Sequence, residues 1–381
     1  MRIVFPKETH PGESRLAATP ESVTILAELG GEIFVQAGLG AALGWADEQY
    51  RDAGAVIVDS IEKLFGEPGL FAWVRSPGLD VIASMPSGSM YAGFLDPFGR
   101  VDLVKAFAAA GVSAMSMEMV PRTTRAQKLD ALSSQHSIAG YYMVILAAER
   151  LGKALPMMAT PAGVIQPARV LVIGAGVAGL QAIATAKRLG ARVEAFDTRP
   201  AVKEQVESLG GRFVDIDLGD SGEAEGGYAK ELTPDQIARQ QAGLLKALGR
   251  ADVVITTAAL FGRPAPTIIT DEMLKSMKPG SLIVDYAVAS GGNVEGSVMG
   301  EDVTLHGVRV IGLENYPGRV AFDASRMYAN NIAGLIRVLY DEESKSLAVN
   351  LDDDIIAGCL VTNGGVVVND RIAAHIAQKP L

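Results

Sequence analysis

The sequence predicts an α/β protein of two doubly wound domains, each built around a parallel sheet. Three observations point there. Short aliphatic and β-branched runs alternate with helical patterns along almost the whole chain, as in parallel strands joined by crossover helices. At 381 residues the chain is long for one core and natural for two. One strand-to-helix junction carries three glycines spaced G-x-G-x-x-G.

In the first domain, residues 3–6 read as a strand. Thr19, with Pro20 at the first helical position, opens a helix that stops at Gly30 and Gly31. Strands follow at 32–36 and 55–58, then a helix at 101–110 ended by Gly111 and a strand at 112–117. This domain has no glycine fingerprint. A long helical pattern over 133–151 sets Ile138, Tyr141, Tyr142, Ile145, Leu146 and Ala148 on one apolar face and leads into the second domain. There the glycine junction is followed by a helix at 202–209 and strands at 212–216 and 253–257. A helix at 271–277 and strands at 282–286 and 308–312 complete a six-stranded sheet. A last helix, 324–340, lies beyond that sheet and is expected to return to the first domain. The expected division is therefore 1–132 plus 325–381 for a discontinuous first domain, and 133–324 for the second.

The run Arg169-Val-Leu-Val-Ile-Gly-Ala-Gly-Val-Ala-Gly179 carries the chemistry. Gly174 permits the tight turn out of the strand, and Gly176 lets backbone approach a pyrophosphate. Gly179 lets the helix pack close on the sheet, and the helix N-terminus then faces the phosphates. A second strand, Val193-Glu-Ala-Phe-Asp197, ends in a carboxylate where this Rossmann-like arrangement places its ribose 2′-hydroxyl acceptor. Asp197 would repel a 2′-phosphate, which favours NAD(H) over NADP(H). Arg199, two residues on, leaves the other cofactor open. The expected cofactor contacts are Gly174, Gly176, Val177, Ala178, Gly179, Asp197, Thr198, Arg199, Gly227, Tyr228 and Ala258.

Composition narrows the function classes. The net charge of −10 argues against nucleic acid and against docking on anionic lipid. One cysteine, Cys359, rules out an internal disulfide framework and reads as a small buried apolar residue in a reducing cytosol. The four histidines, 10, 136, 306 and 375, have no metal-ligand spacing, so no metal is expected. The N-terminal residues lack the apolar region of a signal peptide, and the longest uncharged stretch is the glycine junction itself, a poor membrane span. A cytoplasmic protein is expected, with any membrane contact made through a partner. The loop 218–228 is acidic, glycine-rich and aperiodic. It reads either as a lid over the cofactor, with Tyr228 covering the ligand, or as a solvated loop.

At Pro121-Arg-Thr-Thr-Arg-Ala-Gln-Lys-Leu-Asp-Ala-Leu-Ser133 the chain resembles the soluble NAD(H)-binding component of proton-translocating NAD(P) transhydrogenases, within the alanine dehydrogenase and transhydrogenase superfamily. The likeness continues through the glycine junction, the segment 203–211, Gly226-Gly-Tyr228 and Met277-Lys-Pro-Gly-Ser281. It implies that Arg122, Gln127, Asp130 and Ser133 form the catalytic cluster at the nicotinamide. It also implies a homodimer that passes hydride from NADH to NADP⁺ held on a separate NADP(H)-binding subunit. A membrane-spanning subunit would couple the transfer to proton translocation. Ending at 381 without a span, the chain is expected to be the first piece of a split enzyme, held peripherally at the cell membrane by its partners. Hydride transfer between nicotinamides needs orientation and no general acid, which suits such a cluster. A structural cap or a surface ion pair is the alternative reading of each of its members.

Alanine dehydrogenases share the start of the chain, Phe5-Pro-Lys-Glu8 and Gly12-Glu-Ser-Arg15. Their resemblance implies a lysine and a histidine in the first domain and an aspartate in the second. Here the matching stretches, 73–77 and 92–96, contain neither lysine nor histidine, and Ala289 stands where the aspartate would lie. Arg15 then reads as a structural remnant. Ala289 also departs from the transhydrogenase pattern, which usually has a carboxylate there, and His136 stands where small polar residues are usual. A stand-alone amino-acid dehydrogenase and a non-catalytic NAD-sensing module are the competing functional readings.

Overall fold

The computed structural model describes residues 1–219, 232–259 and 261–378. The chain forms two compact units, Met1–Gln135 with Pro317–Leu381 and His136–Tyr316. In chain order the first unit opens with β1 (Arg2–Phe5), β2 (Glu32–Gln36), β3 (Ala55–Val58), β4 (Leu70–Arg75), β5 (Met90–Phe94) and β6 (Ser113–Ser116). The second unit carries β7 (Met158–Thr160), β8 (Gly163–Ile165), β9 (Arg169–Ile173), β10 (Arg192–Phe196) and β11 (Arg212–Phe213). It continues with β12 (Val253–Thr256), β13 (Leu282–Asp285), β14 (Asp302–Leu305) and β15 (Val308–Ile311). The chain then re-enters the first unit with β16 (Tyr340–Asp341), β17 (Ser346–Leu347), β18 (Leu360–Asn363) and β19 (Val366–Val367).

The first unit's sheet runs β19-β18-β6-β5-β4-β1-β2-β3. Strands β1 to β6 pair in parallel, and β18 and β19 add an antiparallel edge. The alternating pattern is thus completed by β4 and β5, which the sequence reading used only as comparison sites. Their residues 70–74 and 91–93 are buried, as expected for strands covered on both faces. The returning segment is built into this unit by buried polar contacts. Leu16 N donates to Ser325 Oγ at 2.9 Å, and the Tyr328 hydroxyl donates to the Trp73 carbonyl at 2.9 Å.

The second unit's sheet runs β11-β10-β9-β12-β13-β15-β14. Its six parallel strands have the order 3-2-1-4-5-6, so the chain reverses direction across the sheet at β9, the usual place for a ligand crevice. Val170 and Val172 of β9 point into one hydrophobic cluster while Leu171 and Ile173 point into another, so both faces are covered. The seventh strand, β14, is antiparallel to β15 and was not expected. A reversal through His306 and Gly307, both with positive φ, folds a half-exposed Asp302–Leu305 segment back as the edge. β11 is shorter than the expected 212–216, with Val214 only half-buried. A separate hairpin, β7 with β8, is exposed along both strands and shows Met158, Val164 and Ile165 to solvent. No helix among the described residues is long and apolar enough to cross a membrane.

The first unit also buries charge. Glu13 accepts from Arg15 Nη2 at 2.6 Å, from Arg15 Nε at 2.8 Å and from Arg75 Nε at 3.3 Å. Burial alone would raise Glu13, but the Arg15 contacts outweigh it and hold the carboxyl down to about 2. Glu8 accepts from the Val74 and Arg75 amides, yet burial dominates and pushes it up to about 8. The signs oppose. Glu13 adds stability above its unfolded value near 4.5 that is lost as pH falls toward 2, whereas Glu8 subtracts stability as pH rises from about 4.5 through 8. The urea midpoint should therefore fall between about pH 5 and pH 8, and Glu8→Gln should flatten that slope. A slope unchanged by the substitution would show that Glu8 does not cause it.

Candidate dinucleotide site

The glycine junction joins β9 to the Val177–Arg188 helix. Gly174 has φ +95°, and its amide donates to the Phe196 carbonyl at 2.8 Å. A Cβ there would meet Thr257 Oγ1 at 2.7 Å, the same hydroxyl that donates to the Gly174 carbonyl at 2.9 Å. A Cβ on Gly179 would run into the Gly174 carbonyl oxygen, so the helix packs on the turn only because residue 179 has no side chain. Gly176 differs from both: a Cβ there meets nothing within 4 Å. It is the N-cap residue of the helix, and among the described residues no side chain caps that end or accepts from the amide groups of the first turn. A backbone surface with open space in front and uncapped N–H groups suits a pyrophosphate. Val177 is exposed on this turn, whereas Ala178 is buried.

Asp197 follows β10 and is nearly buried. Its Oδ2 accepts from Ala175 N at 2.7 Å and from Arg199 Nη2 at 2.9 Å. Its Oδ1 accepts from Arg199 N and Arg199 Nε, both at 2.9 Å. The carboxylate therefore ties the glycine turn to the end of β10 and holds the Arg199 guanidinium in a two-pronged pair. Thr198 is half-buried between them in sequence. Ala258, beyond β12, is positioned by Asn293. Its amide donates to Asn293 Oδ1 at 3.1 Å, and Asn293 Nδ2 donates back to its carbonyl at 2.8 Å. Asn293 N in turn donates to both oxygens of Asp285, at 3.1 and 3.0 Å. Asp285 and Asn293 are completely buried. They support the candidate site through the Ala258 backbone, and the sequence reading missed them. The only signal was polar residues beside an apolar strand and a Gly-Gly turn.

The structure thus gathers Gly174, Gly176, Val177, Ala178, Gly179, Asp197, Thr198, Arg199 and Ala258 in the second unit, at the carboxyl ends of β9, β10 and β12. Gly227 and Tyr228, with residues 220–228 of the expected lid, lie outside the described residues. The 122–133 cluster belongs to the first unit. Arg122 and Gln127 are exposed, and Gln127 begins a single 3₁₀ turn, Gln127–Leu129. Asp130 and Ser133 are brought together. The Asp130 carboxylate accepts from Ser133 N at 2.8 Å and from Ser133 Oγ at 2.6 Å, capping the Ala131–Arg150 helix. Arg125, which the sequence reading left unassigned, pairs with Asp353 at 2.7 Å and with Asp354.

The two departures noted in the sequence are also placed. His136 is half-buried with its ring edge-on to Tyr286, centroids 5.6 Å apart. Ala289 is exposed in a short turn, Val288–Ser290. Arg15, read from the sequence as a structural remnant, is occupied by Glu13 and by Gln135 Oε1 at 3.0 Å.

The sheet order, the glycine turn and its carboxylate define a two-unit α/β protein of the dinucleotide-binding class. The chain belongs to the alanine dehydrogenase/PNT family, whose N-terminal domain model matches residues 4–139 and whose C-terminal domain model matches residues 143–370. It is 43% identical to the first part of the NAD(P) transhydrogenase alpha subunit of Rhodospirillum rubrum, over 98% of this chain and all of that one. The transhydrogenase structure from Sinorhizobium meliloti matches with TM-score 0.85 and 39% identity over 97% of this chain and all of that one. An L-alanine dehydrogenase structure matches with TM-score 0.84 but 25% identity, over 99% of each chain.

The glycines make separable predictions. Gly176→Ala places its methyl in open space, so stability should change by no more than about 1 kcal/mol while NADH affinity drops about tenfold or more. Gly179→Ala should instead destabilise the fold itself, by about 1–3 kcal/mol or more, because the Gly174 carbonyl must move. Calorimetric binding with urea unfolding on both variants checks the contrast; equal stability losses would refute it.

Proposed function

We propose that this chain is the NAD(H)-binding component of a split proton-translocating NAD(P) transhydrogenase. Hydride passes directly from NADH held here to NADP⁺ held on a partner subunit, and a membrane-spanning subunit couples the transfer to proton movement. The observation that carries this reading is the 43% identity, end to end, with the first part of a transhydrogenase alpha subunit.

The residues support it. The uncapped N-terminus of the Val177–Arg188 helix and the open face at Gly176 suit the pyrophosphate. The Asp197 carboxylate is an acceptor for the adenosine ribose hydroxyls, and Asp285 and Asn293 hold the Ala258 backbone beside the turn. We assign Arg122, Gln127, Asp130 and Ser133 to orienting the nicotinamide, and Gly227 and Tyr228 to covering the cofactor. In the reaction the hydride leaves C4 of NADH with its electron pair and joins C4 of the NADP⁺ nicotinamide. NADH is oxidised, NADP⁺ is reduced, and no proton moves at either carbon. A site of this kind has no work for a general acid. That agrees with an Arg15 and an Arg75 already engaged by Glu13.

The exposed apolar hairpin of β7 and β8 supports a homodimer, since Met157, Met158, Val164 and Ile165 are an unusual load for a solvent-facing two-stranded ribbon. Its partners hold the assembly at the cytoplasmic side of the cell membrane.

The decisive experiment mixes the purified chain with the membrane-spanning and NADP(H)-binding components and follows NADPH formation from NADH. The expected result is reduction that needs all components. Reduction of NAD⁺ by an amino acid with this chain alone would replace the reading with an amino-acid dehydrogenase. NADH binding without transfer in the full assembly would favour a sensing module. The cofactor preference has its own prediction. Asp197→Asn keeps one acceptor oxygen but removes the charge that holds Arg199. NADH affinity should fall about tenfold or more as the charged hydrogen bond is lost, while NADPH affinity rises. Adding Arg199→Ala should abolish the NADPH gain; a gain that survives would show that Arg199 is not its source.

A further inference from the structure

The turn that carries Gln127 and leads to Asp130 is held from below by a chain of side-chain hydrogen bonds buried in the first unit. Arg15 Nη1 donates to Gln135 Oε1 at 3.0 Å. Gln135 Nε2 donates to Ser134 Oγ at 3.3 Å and to the Ala324 carbonyl at 3.1 Å. Ser134 Oγ donates to Asn331 Oδ1 at 2.7 Å, and Asn331 Nδ2 donates to the Lys128 carbonyl at 2.8 Å. Every bond runs in the same sense, donor to acceptor, from the Glu13-anchored guanidinium to a backbone carbonyl in the 3₁₀ turn. That polarity fixes which end of each amide faces which neighbour, because the oxygen of Asn331 or Gln135 can only accept and its nitrogen only donate. Arg15, Gln135 and Asn331 are nearly buried and Ser134 is half-buried, so water competes little for the bonds at the Arg15 end and more at the Lys128 end. Leu129, also buried, packs the turn down beside Gly334 of the same Ala321–Leu339 helix as Asn331.

We infer that Asn331 is a positioning residue for hydride transfer: through the Lys128 carbonyl it sets the height and tilt of the turn presenting Gln127, with Ser134, Gln135 and Arg15 holding its amide in register. This rests on the transhydrogenase reading and on the role proposed there for Gln127. It also gives Arg15 a present use. The guanidinium terminates the relay that supports the nicotinamide-orienting turn, and it need not bind a substrate acid. Direct transfer is sensitive to such support, since a displacement of about 1 Å between reacting groups can cost roughly a hundredfold in rate.

The test uses the chain assembled with its membrane-spanning and NADP(H)-binding components. Asn331→Asp turns a donor into an oxygen facing the Lys128 carbonyl while keeping the acceptor for Ser134. Turnover should fall about tenfold or more, with KM for NADH and the NADH affinity of the isolated chain changed less than about twofold. The deuterium isotope effect from 4-deuterated NADH should rise, because the hydride step becomes rate-limiting. Ser134→Ala is the milder variant, should the first fail to fold, and should lower turnover in the same pattern. In a double-mutant cycle, Asn331→Asp should add little to the loss caused by Gln127→Asn. Folded variants with normal turnover, losses that fall equally on NADH affinity, or fully additive losses would overturn the positioning role. Absence of transfer in the unmodified assembly would overturn the transhydrogenase reading instead.

Discussion

The second unit is organised by one steric constraint: the Gly174 carbonyl occupies the space that a side chain on residue 179 would need. That contact sets how close the Val177–Arg188 helix lies to the sheet, and therefore where its N-terminus ends. A second contact of the same kind acts on the other side. A Cβ on Gly140 would strike the Ala178 carbonyl, so the Ala131–Arg150 helix also approaches this helix at backbone distance. The helix is gripped on two sides by missing side chains, and its uncapped end stays open at Gly176. Such rigidity matters for an anion site built from backbone amides, which have no side-chain freedom with which to adjust.

In the first unit the organising force is electrostatic. Burying Glu13, Arg15 and part of Arg75 is costly, and a pair of this kind is weak evidence for stability. Its value lies in direction. Glu13 orients the guanidinium, the guanidinium orients the Gln135 amide, and the order is passed on to a backbone carbonyl. Glu8 shows the cost of the same environment without a partner: two backbone amides do not offset its burial, and its carboxyl is pushed up to about 8.

Local rules in the sequence carried far where they act alone. Thr19 with Pro20 is read as a helix start and forms a capping box, and β2 and β3 fall on the residues that their apolar runs mark. The glycine junction was legible because Gly174 and Gly179 each answer a nearby backbone demand and Gly176 completes the spacing. The reading was weaker where structure depends on distant neighbours. β14 became a strand only by folding onto β15, and β7 and β8 carry exposed apolar residues that no alternation rule selects. The bond from Asn331 to the Lys128 carbonyl spans 203 residues, so no spacing in the sequence could announce it. Asp130 and Ser133 show the converse. Their three-residue separation reads equally as a site and as a helix cap, and the geometry displays the cap.

The Asp197 and Arg199 arrangement bears on why two cofactors of nearly equal reducing power would be kept on separate proteins. Hydride exchange between NADH and NADP⁺ has little chemical bias of its own, so its direction must come from which cofactor each site accepts and when. A site that bound both would short-circuit any coupling. Here a single carboxylate serves the glycine turn through Ala175 and holds the guanidinium that could welcome a 2′-phosphate. For NADPH to bind, Arg199 would have to leave Asp197 and the 2′-phosphate would have to lie beside that same carboxylate. For NADH, the carboxylate is already the acceptor that a ribose diol needs. On the proposed reading, discrimination would therefore come from one ion pair that must break for the wrong cofactor and need only share an acceptor with the right one.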